Sequence, residues 1–351
     1  MRLLFIGGTG LISSECAKLA HDLGHDVTII TRGRSQTFSA PRGARHIVVD
    51  AKKPAALRAS LERNALGARF DAVIQFIAFE QGQFPDDVVT FAHRANQYVF
   101  VSSAATYKPV DRLVVLSESS EQSNDTWEYA RKKIECEQEL RMYAEAASLP
   151  YTIVRPAHTY GPSHIPGYIG NSDHPWTLVD RMRRGADIVI PGDGTSVWTL
   201  THSRDVATAI IGLIGNDKAL GKAVNVTSTE ALTWETIHRT IAEAAGIDPE
   251  QYASQIVHVP SDALVASYPS AEGGILGDKM HNKVIDSRLL RSLIPGYKAK
   301  IRFADGIQES IAWFEANPAR QTVDTYANAH LDRVAAIYRG ALDDASQLPT
   351  P

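Results

Sequence analysis

The chain has 351 residues, 44% of them hydrophobic, which is enough to bury a large core in one domain or in two closely joined domains. Its formal net charge of -4 at pH 7 argues against a basic field of the kind that drives binding to nucleic acids or anionic membranes. The apolar run at residues 3–6 is too short for a secretory signal, and no later run reaches the roughly 20 apolar residues of a membrane-spanning helix. We therefore expect a cytoplasmic globular protein with no membrane partner.

The first half of the chain alternates short β-branched runs with amphipathic helical runs, the pattern of βαβ units around a parallel sheet. The predicted strands are Arg2–Ile6, 27–30, 47–49, 73–77, Tyr98–Val101 and 151–154. The predicted helices are 12–23, 88–95 and 127–147. This order predicts an α/β fold, a Rossmann-like doubly wound parallel sheet of about six strands by residue 155.

The second half is less regular, and residues 158–198 are rich in glycine, proline, histidine and aromatic side chains. Beyond them we predict a helix at 204–214, a strand at 223–226, a helix at 234–245 capped by Thr233, and a final helix at 319–341. The expected organisation is a dinucleotide-binding domain over residues 1–157, completed by 200–228. The rest of the chain is expected to form a smaller, irregular substrate-binding region over 158–199 and 229–318 and a helical extension over 319–351.

A glycine-rich loop, residues 7–13 (GGTGLIS), joins the first strand to the first helix. Glycine permits a tight turn and lets backbone N–H groups approach a pyrophosphate, while the helix N-terminus adds a favourable dipole. The loop predicts a dinucleotide site formed by Gly7, Thr9, Gly10, Leu11 and Ile12. Its last position is serine where the usual pattern has glycine, and a purely structural turn is the alternative.

The end of the second strand usually decides between the two nicotinamide dinucleotides. Thr31 and Arg32 stand there, with Arg34 nearby and no acidic residue to bind a ribose. We expect NAD(P) binding with NADP favoured over NAD, because guanidinium groups pair with a 2′-phosphate. Solvated arginines are the alternative. Asp50, after the third strand, is expected to contact adenine, and a turn cap explains it equally well.

Tyr129 and Lys133 stand four residues apart in the predicted helix 127–147 and hence on one of its faces. A phenol ionises near about pH 10, so we expect the ammonium group to stabilise the phenolate and make Tyr129 a general acid/base. Lys133 is also expected to hold the nicotinamide ribose. Ser103 follows a strand, where its hydroxyl would bind a substrate oxygen; strand termination is the alternative. Together these residues predict a catalytic centre for hydride transfer.

Six ordered segments, at 7–13, 71–78, 101–107, 129–133, 155–162 and 201–207, resemble the extended short-chain dehydrogenase/reductase family in its NAD-dependent epimerase/dehydratase group. The resemblance covers about residues 1–315. It implies catalytic roles for Ser103, Tyr129 and Lys133 and a cofactor contact at Ala78. Looser similarity around residues 202–205 and 277–278 relates the chain to chloroplast stem-loop-binding proteins.

The chain departs from this family at positions that concern the substrate. Dehydratases of the group carry an acid pair where this chain has Ala104 and Ala105, so dehydration is disfavoured. Epimerases hold the nucleotide diphosphate with arginines where this chain has Trp198 and the apolar residues 275–276, and His158 replaces a familiar asparagine. We therefore expect a carbohydrate substrate, either a sugar or a sugar nucleotide.

The substrate contacts are expected from Ser103 and Tyr129 together with polar and aromatic side chains of the irregular region. The candidates there are His158, Tyr160, His164 and Trp198, with Tyr168, Asn171, His174 and Trp176 as further possibilities. The histidines lack the tight spacing of a metal site, so no metal is expected.

Two functions remain open at this point. The favoured one is an NAD(P)-dependent epimerase or oxidoreductase acting on a small carbohydrate. The alternative is a non-catalytic nucleotide- or RNA-binding protein on the same fold, against which the intact Ser103, Tyr129 and Lys133 and the acidic balance both argue. We expect no nucleic-acid partner and a homodimer in which helices 88–95 and 127–147 pair with their copies.

Overall fold

A computed structural model describes residues 1–34, 37–64, 69–170 and 173–346. Asn171 and the last residues of the predicted extension, 347–351, lie outside the described residues. The described strands are β1 (Arg2–Ile6), β2 (Asp26–Thr31), β3 (Arg45–Val48), β4 (Ala72–Gln75), β5 (Tyr98–Val101), β6 (Val115–Leu116), β7 (Tyr151–Pro156), β8 (His158–Tyr160), β9 (Ile188–Pro191), β10 (Val197–His202), β11 (Lys222–Val226), β12 (Ala231–Thr233), β13 (Ile256–Val259) and β14 (Val284–Ile285).

Helices connect most of these strands. The described α-helices are α1 (Leu11–Asp22), α2 (Pro54–Arg63), α3 (Phe84–Phe91), α4 (Glu128–Ala146), α5 (Thr177–Arg183), α6 (Ser203–Leu213), α7 (Trp234–Ala244), α8 (Pro249–Gln255), α9 (Ser261–Ser267), α10 (Glu272–Gly274), α11 (Arg288–Leu293), α12 (Phe303–Glu315) and α13 (Thr325–Ser346). Short 3₁₀ turns lie at Ala104–Thr106, Asp217–Ala219, Pro269–Ala271 and Pro318–Arg320, and a π-helical turn lies at Ile275–Lys279. None of the helices in the described ranges is long and apolar enough to cross a membrane.

Within the described chain, seven strands form one parallel sheet in the order β11-β7-β5-β4-β1-β2-β3. The strand order reverses at β1, with β2 and β3 on one side and β4 and the later strands on the other. Open α/β sheets bind ligands at such a switch point, outside the carboxyl ends of the strands. The predicted Rossmann-like fold is confirmed, and β11 adds a seventh strand to the six expected by residue 155.

The sheet is buried on both faces, which explains why its strands are almost continuously apolar. Successive residues of β1 alternate between two cores: Leu3 and Phe5 pack on one face, and Leu4 and Ile6 on the other. Helices α1 and α6 cover the first face. Helices α3 and α4 pack together on the second.

Two predicted helices are displaced from their observed positions. The helix predicted at 88–95 is α3, Phe84–Phe91, because Pro85 fixes the backbone of its first turn and the apolar side chains of Phe84, Val88 and Phe91 then face the core. The final helix begins at Thr325 instead of 319, because Pro318 starts a separate 3₁₀ turn. Asp324 then accepts the backbone N–H of Ala327 at 2.8 Å.

The apolar side chains that recur at helical spacing in the last helix are only partly buried. Leu331 and Val334 are buried against β9 and β13, whereas Tyr326 and Ile337 are each 68% exposed. Thr233 caps α7 as predicted, accepting the backbone N–H of Thr236 at 3.1 Å.

A separate hydrophobic core lies beyond the carboxyl ends of the main sheet. The three-stranded sheet β12-β10-β8 packs there with α7 and α12 around Trp198 and Trp234. Strand β10 also pairs with residues after the π-helical turn, since the Thr199 backbone N–H donates to Lys283 O at 3.1 Å. This core therefore holds residues 272–283 near the end of the main sheet.

Candidate active site

A cavity of about 820 Å³ opens at the carboxyl ends of the central strands. Its walls include residues that directly follow β1, β4 and β5, and the ends of β2 and β7. The volume lies within the usual range for small-molecule and cofactor sites. The cavity therefore occupies the switch point of the sheet, and it contains most of the predicted site residues.

The glycine-rich loop forms one end of the cavity. Gly7 has φ +89°, and a Cβ atom on it would lie 2.3 Å from Ile77 Cγ2, so glycine is required there. Helix α1 begins at Leu11, and the N–H groups of its first turn have no intrahelical partner. Leu11 and Ile12 line the cavity along with Thr9 and Gly10. This cradle of N–H groups at a helix N-terminus fits a pyrophosphate.

Ser13 departs from the usual glycine, and the structure shows what its side chain does. Its Oγ accepts the backbone N–H of Gly10 at 2.8 Å, which holds the end of the loop against the first turn of α1. The substitution thus adds a support to the loop without closing the cavity, since Ser13 is itself part of the wall.

The opposite end of the dinucleotide half is polar. Thr31, Arg32 and Arg34 line it as predicted, and both arginines are exposed. Asp50 lies there too, and its carboxylate accepts the backbone N–H of Lys52 at 3.1 Å, which is the turn cap considered as the alternative. Lys52 also lines the cavity and was missed from the sequence.

The predicted catalytic residues meet in the middle of the cavity. Ser103 lies two residues beyond the end of β5 and accepts the backbone N–H of Ala105 at 3.1 Å. Tyr129 stands in the first turn of α4, and the Ser103 hydroxyl lowers the pKa of its phenol. Lys133 lies one turn further along the same helix face. The geometry unites two segments that are 26 positions apart in the chain.

The pKa of Tyr129 differs from the sequence-based expectation. Burial in the cavity wall raises the pKa of this phenol, the hydrogen bond with Ser103 lowers it, and the charge of Asp278 raises it further. Lys133 was expected to lower this pKa, but burial outweighs any such effect. In the chain alone, Tyr129 is therefore a protonated hydroxyl.

Lys133 is buried and held by the protein backbone. Its Nζ donates to Ala78 O at 2.9 Å and to Val101 O at 3.1 Å. Burial lowers the pKa of Lys133 to about 8. An ammonium group has three N–H bonds, so one remains for a ligand in the cavity.

A buried polar network supports the catalytic helix from below. Glu137, one turn beyond Lys133, accepts hydrogen bonds from Ser102 Oγ at 2.7 Å and from Arg155 Nε at 2.9 Å. Arg155 also donates to Tyr107 Oη at 2.9 Å. The network links α4 to the ends of β5 and β7, so it fixes the distance between Tyr129 and Ser103.

Aromatic and imidazole rings form the remaining end of the cavity. His158, His164 and Trp198 line it as predicted, and Trp127 joins them. The His158 ring lies 5.9 Å from that of His164 and 5.7 Å from that of Trp198, measured between centroids. Burial and nearby lysines lower the pKa of His158 well below its usual value and that of His164 to about 4. Both imidazoles are therefore neutral at pH 7.

Three charged residues in this wall were not predicted. Asp278, Lys279 and Lys283 line the cavity, and Lys283 forms a buried ion pair with Asp278. The apolar residues 275–276 indicated an apolar segment here. A signal for Lys279 was its position directly after Gly277-Asp278.

Two predicted site residues lie outside the cavity wall. Ala78 is fully buried, and its carbonyl holds Lys133, while the neighbouring Ile77 and Phe79 line the cavity. Tyr160 is a core residue whose hydroxyl donates to Arg302 O at 3.2 Å. It packs against Phe303 because its strand, β8, faces the second core at that position.

His202 and Asp205, which supported the looser similarity, have structural roles. His202 is buried and caps α6 by accepting the backbone N–H of Arg204 at 3.2 Å. The carboxylate of Asp205 accepts the backbone N–H groups of Lys300 and Ile301 at 3.0 and 2.9 Å. Both residues anchor α6 to the end of the second core.

The fold and the site together define a class, that of Rossmann-fold proteins with a dinucleotide loop facing a Ser-Tyr-Lys set. The comparison of sequences identifies the family within this class. Residues 3–227 match the NAD dependent epimerase/dehydratase family, and the chain belongs to it.

The similar proteins have diverse descriptions. The chain is 25% identical over 269 residues to the chloroplast stem-loop binding protein of 41 kDa b from Arabidopsis thaliana, covering 73% of this chain and 65% of that protein. It is 25% identical to 2′-dehydrokanamycin reductase from Streptomyces kanamyceticus, with 86% and 81% covered. It is 27% identical to UDP-glucose 4-epimerase from Corynebacterium glutamicum, with 76% and 88% covered.

Solved structures share the fold. The dTDP-glucose 4,6-dehydratase of Bacillus anthracis, in complex with NAD, superposes with a TM-score of 0.71 at 16% identity, covering 91% of this chain and 98% of that one. The UDP-glucose 4-epimerase of Thermotoga maritima, with UDP-glucose, gives 0.69 at 18% identity, with 90% and 99% covered.

Proposed function

We propose that this protein is an NAD(P)-dependent epimerase or oxidoreductase that transfers hydride to and from a carbohydrate. The observation that carries the proposal is the meeting of Ser103, Tyr129 and Lys133 in one cavity with the glycine-rich loop. The descriptions of two relatives, a reductase and a sugar-nucleotide epimerase, support it. In this proposal residues 1–157 and 200–228 bind the cofactor, and residues 158–199 and 229–318 bind the substrate.

The proposed chemistry divides between the cofactor and the chain. Bound nicotinamide supplies or accepts the hydride. During reduction, Tyr129, which is protonated in the chain alone, donates its proton to the carbonyl oxygen as the hydride reaches the carbon. During oxidation, the phenolate of Tyr129 accepts the hydroxyl proton. Ser103 holds the same substrate oxygen, and Lys133 holds the ribose through its remaining N–H.

Replacement of Tyr129 tests this function. Tyr129→Phe removes the transferable proton, and we expect turnover in a screen of sugars and sugar nucleotides to fall by about 100-fold or more. The affinity for the dinucleotide, measured by fluorescence titration, should be almost unchanged. Tyr143→Phe, on the exposed side of the same helix, is the matched control. Retained turnover in Tyr129→Phe would remove Tyr129 from the mechanism.

Dehydration is disfavoured in this proposal. Ala104 and Ala105 both line the cavity beside Ser103, at the positions where related dehydratases carry acids. Methyl groups cannot move the proton that elimination of water requires. Epimerisation and net redox differ in the fate of the hydride: an epimerase returns it to the substrate and keeps its cofactor, whereas a dehydrogenase releases the reduced or oxidised cofactor at each turnover.

We propose NADP as the preferred cofactor, bound through Arg32 and Arg34. Charge-assisted hydrogen bonds to a 2′-phosphate are worth about 10- to 100-fold in affinity. Arg32→Ser should weaken NADPH binding by that factor and leave NADH binding unchanged. Arg42→Ser, an exposed arginine away from the cavity wall, is the control. Wild-type protein that binds NADH as tightly as NADPH would contradict the preference.

We also propose that the protein forms a homodimer. A homodimer would cover the exposed apolar side chains Val89 on α3 and Met142 on α4, which are 73% and 59% exposed. Sedimentation velocity measures the oligomeric state.

The description of the chloroplast relative keeps an RNA-binding function as the second candidate. A salt-sensitive RNA shift without dinucleotide-dependent turnover would favour that candidate.

A further inference from the structure

Lys279 presents a positive charge to the substrate end of the cavity. Its side chain is half-buried and lines the cavity with Trp127, His158 and His164. Within the described chain, its Nζ forms no hydrogen bond or ion pair, and the centroid of the Trp127 ring lies 6.0 Å away. An ammonium group that faces a cavity without a protein partner is available to an anionic group of a bound ligand.

The segment that carries Lys279 is held firmly on the catalytic side of the cavity. Asn124 Nδ2 donates to Gly277 O at 2.7 Å, just before Trp127 and α4. Gly273 and Gly277 pack directly on Trp127, because Cβ atoms on them would lie 2.3 and 2.9 Å from its side chain. The turn itself is π-helical, a rare conformation that often occurs at functional sites.

The charges around Lys279 leave one positive charge uncompensated. Lys283 is neutralised by its ion pair with Asp278. His158 and His164 carry no charge at pH 7, because burial and the charge of Lys279 lower the pKa of each. The arginines that line the cavity, Arg32 and Arg34, lie at the dinucleotide end. The part of the cavity wall around Lys279 therefore has one net positive charge, that of the Lys279 ammonium group.

We propose that Lys279 binds a single anionic group, a carboxylate or a phosphomonoester, carried by the sugar that Tyr129 acts upon. This rests on the function proposed above. The two sites are close, since the centroid of the Trp127 ring lies 5.0 Å from that of Tyr129 and 6.0 Å from Lys279 Nζ. A lysine is a point charge suited to one anionic group, whereas diphosphates are usually gripped by the forked guanidinium groups of arginine. The neutral imidazoles of His158 and His164 add hydrogen-bond donors to the same wall.

The test measures sugar binding in the absence of turnover. The protein carries Tyr129→Phe and is saturated with NADP, and tryptophan fluorescence and calorimetry follow the binding of D-glucuronate, D-glucose 6-phosphate, D-glucose and UDP-glucose. We expect at least one of the two singly substituted acids to bind about 10- to 100-fold more tightly than D-glucose. Its identity distinguishes the carboxylate from the phosphomonoester.

Substitution of Lys279 assigns the effect to its side chain. Adding Lys279→Met should abolish the preference for the charged sugar and leave D-glucose binding unchanged, and Lys279→Arg should restore most of it. Lys298→Met, at an exposed lysine away from the cavity wall, is the control for a general loss of positive charge. Equal binding of charged and neutral sugars, or a preference that survives Lys279→Met, overturns the proposal.

Two outcomes distinguish a single-anion site from a diphosphate site and from a failure of the function proposed above. UDP-glucose binding that depends on Lys279 more than either acid does would assign the lysine to a diphosphate and overturn the single-charge proposal. Retained turnover in Tyr129→Phe contradicts the proposed function, but the charge preference in binding is measured without turnover. The two failures are therefore distinguishable.

Discussion

Glu137 of α4 and Arg155 of β7 form a buried pair of opposite charges. Hydrogen bonds from Ser102 and Gln122 to Glu137, and from Arg155 to Tyr107, occupy their remaining atoms. A buried ion pair adds little net stability, but loss of one partner strands the other in the interior. The pair is therefore best understood as a fixed spacer that sets the position of Ser103 relative to α4.

Asp87 is a second buried carboxylate, and it makes stability depend on pH. Tyr98 Oη donates to it at 2.5 Å and Gln75 Nε2 at 2.9 Å, but burial dominates and raises the pKa of Asp87 to about 6. The folded state thus favours the protonated acid. The resulting stability is present below the unfolded pKa of about 3.8 and is lost as pH rises through about 6.

The measurement is urea unfolding of wild type and Asp87→Asn across this range. Between about pH 4 and pH 7 the wild type should lose about 2 kcal/mol relative to Asp87→Asn. Tyr98→Phe removes a hydrogen bond that lowers the Asp87 pKa. In this variant the loss of stability should therefore continue to a higher pH than in the wild type. Parallel pH profiles for wild type and Asp87→Asn would contradict this assignment.

At the scale of single residues, sequence spacing predicted the side chains that meet in the middle of the cavity better than those at the end around His158 and Lys279. Tyr129 and Lys133 lie on one helix, so their proximity follows from the helical repeat. Lys279 reaches the same cavity only through packing of its segment on Trp127, which no local pattern encodes. Tyr160 was assigned to the site because the segment around it is rich in glycine, proline, histidine and aromatic residues. The structure places its side chain in the second core instead.

Helix α4 shows how one element carries several functions. Tyr129, Lys133 and Glu137 recur every four residues, so the same face presents a phenol, an ammonium group and the anchor of the buried network. The helix was predicted to within one residue at each end. Helix α3 was displaced by four residues because the proline at its start outweighed the apolar pattern used to place it.

The contact between the segment 272–279 and Trp127 gives a test at the level of elements. Gly273→Ala places a methyl group 2.3 Å from Trp127 Cδ1, so the segment has to shift. We expect a loss of about 1–3 kcal/mol in the free energy of unfolding, together with weaker binding of the charged sugar. Thermal and urea unfolding measure the first and calorimetry the second.

Gly340→Ala is the matched control for this substitution. Gly340 is exposed in α13 with open space around its Cα, so alanine should stabilise that helix by about 0.5–1 kcal/mol. Equal effects of the two substitutions would show that Gly273 is not in close contact with Trp127.

At the scale of the whole molecule, the two halves of the cavity differ in how they are encoded. The dinucleotide half uses loops between successive βαβ units, so the alternation of strands and helices predicts it. The other half includes Lys283, which reaches it because β14 pairs with β6 and the Thr199 backbone N–H donates to Lys283 O. Pairings of this kind leave no local periodic signal, and the sequence accordingly located this half without resolving its wall.

The late arrival of β11 in the chain has a consequence for synthesis and degradation. Strand β7 pairs with β5 on one side and with β11, residues 222–226, on the other. A nascent or cleaved chain that ends before residue 222 leaves β7 as an open edge with the apolar residues Ile153 and Val154. Unpaired strand edges recruit other chains. Such fragments would therefore aggregate through β7 until β11 is available to cover it.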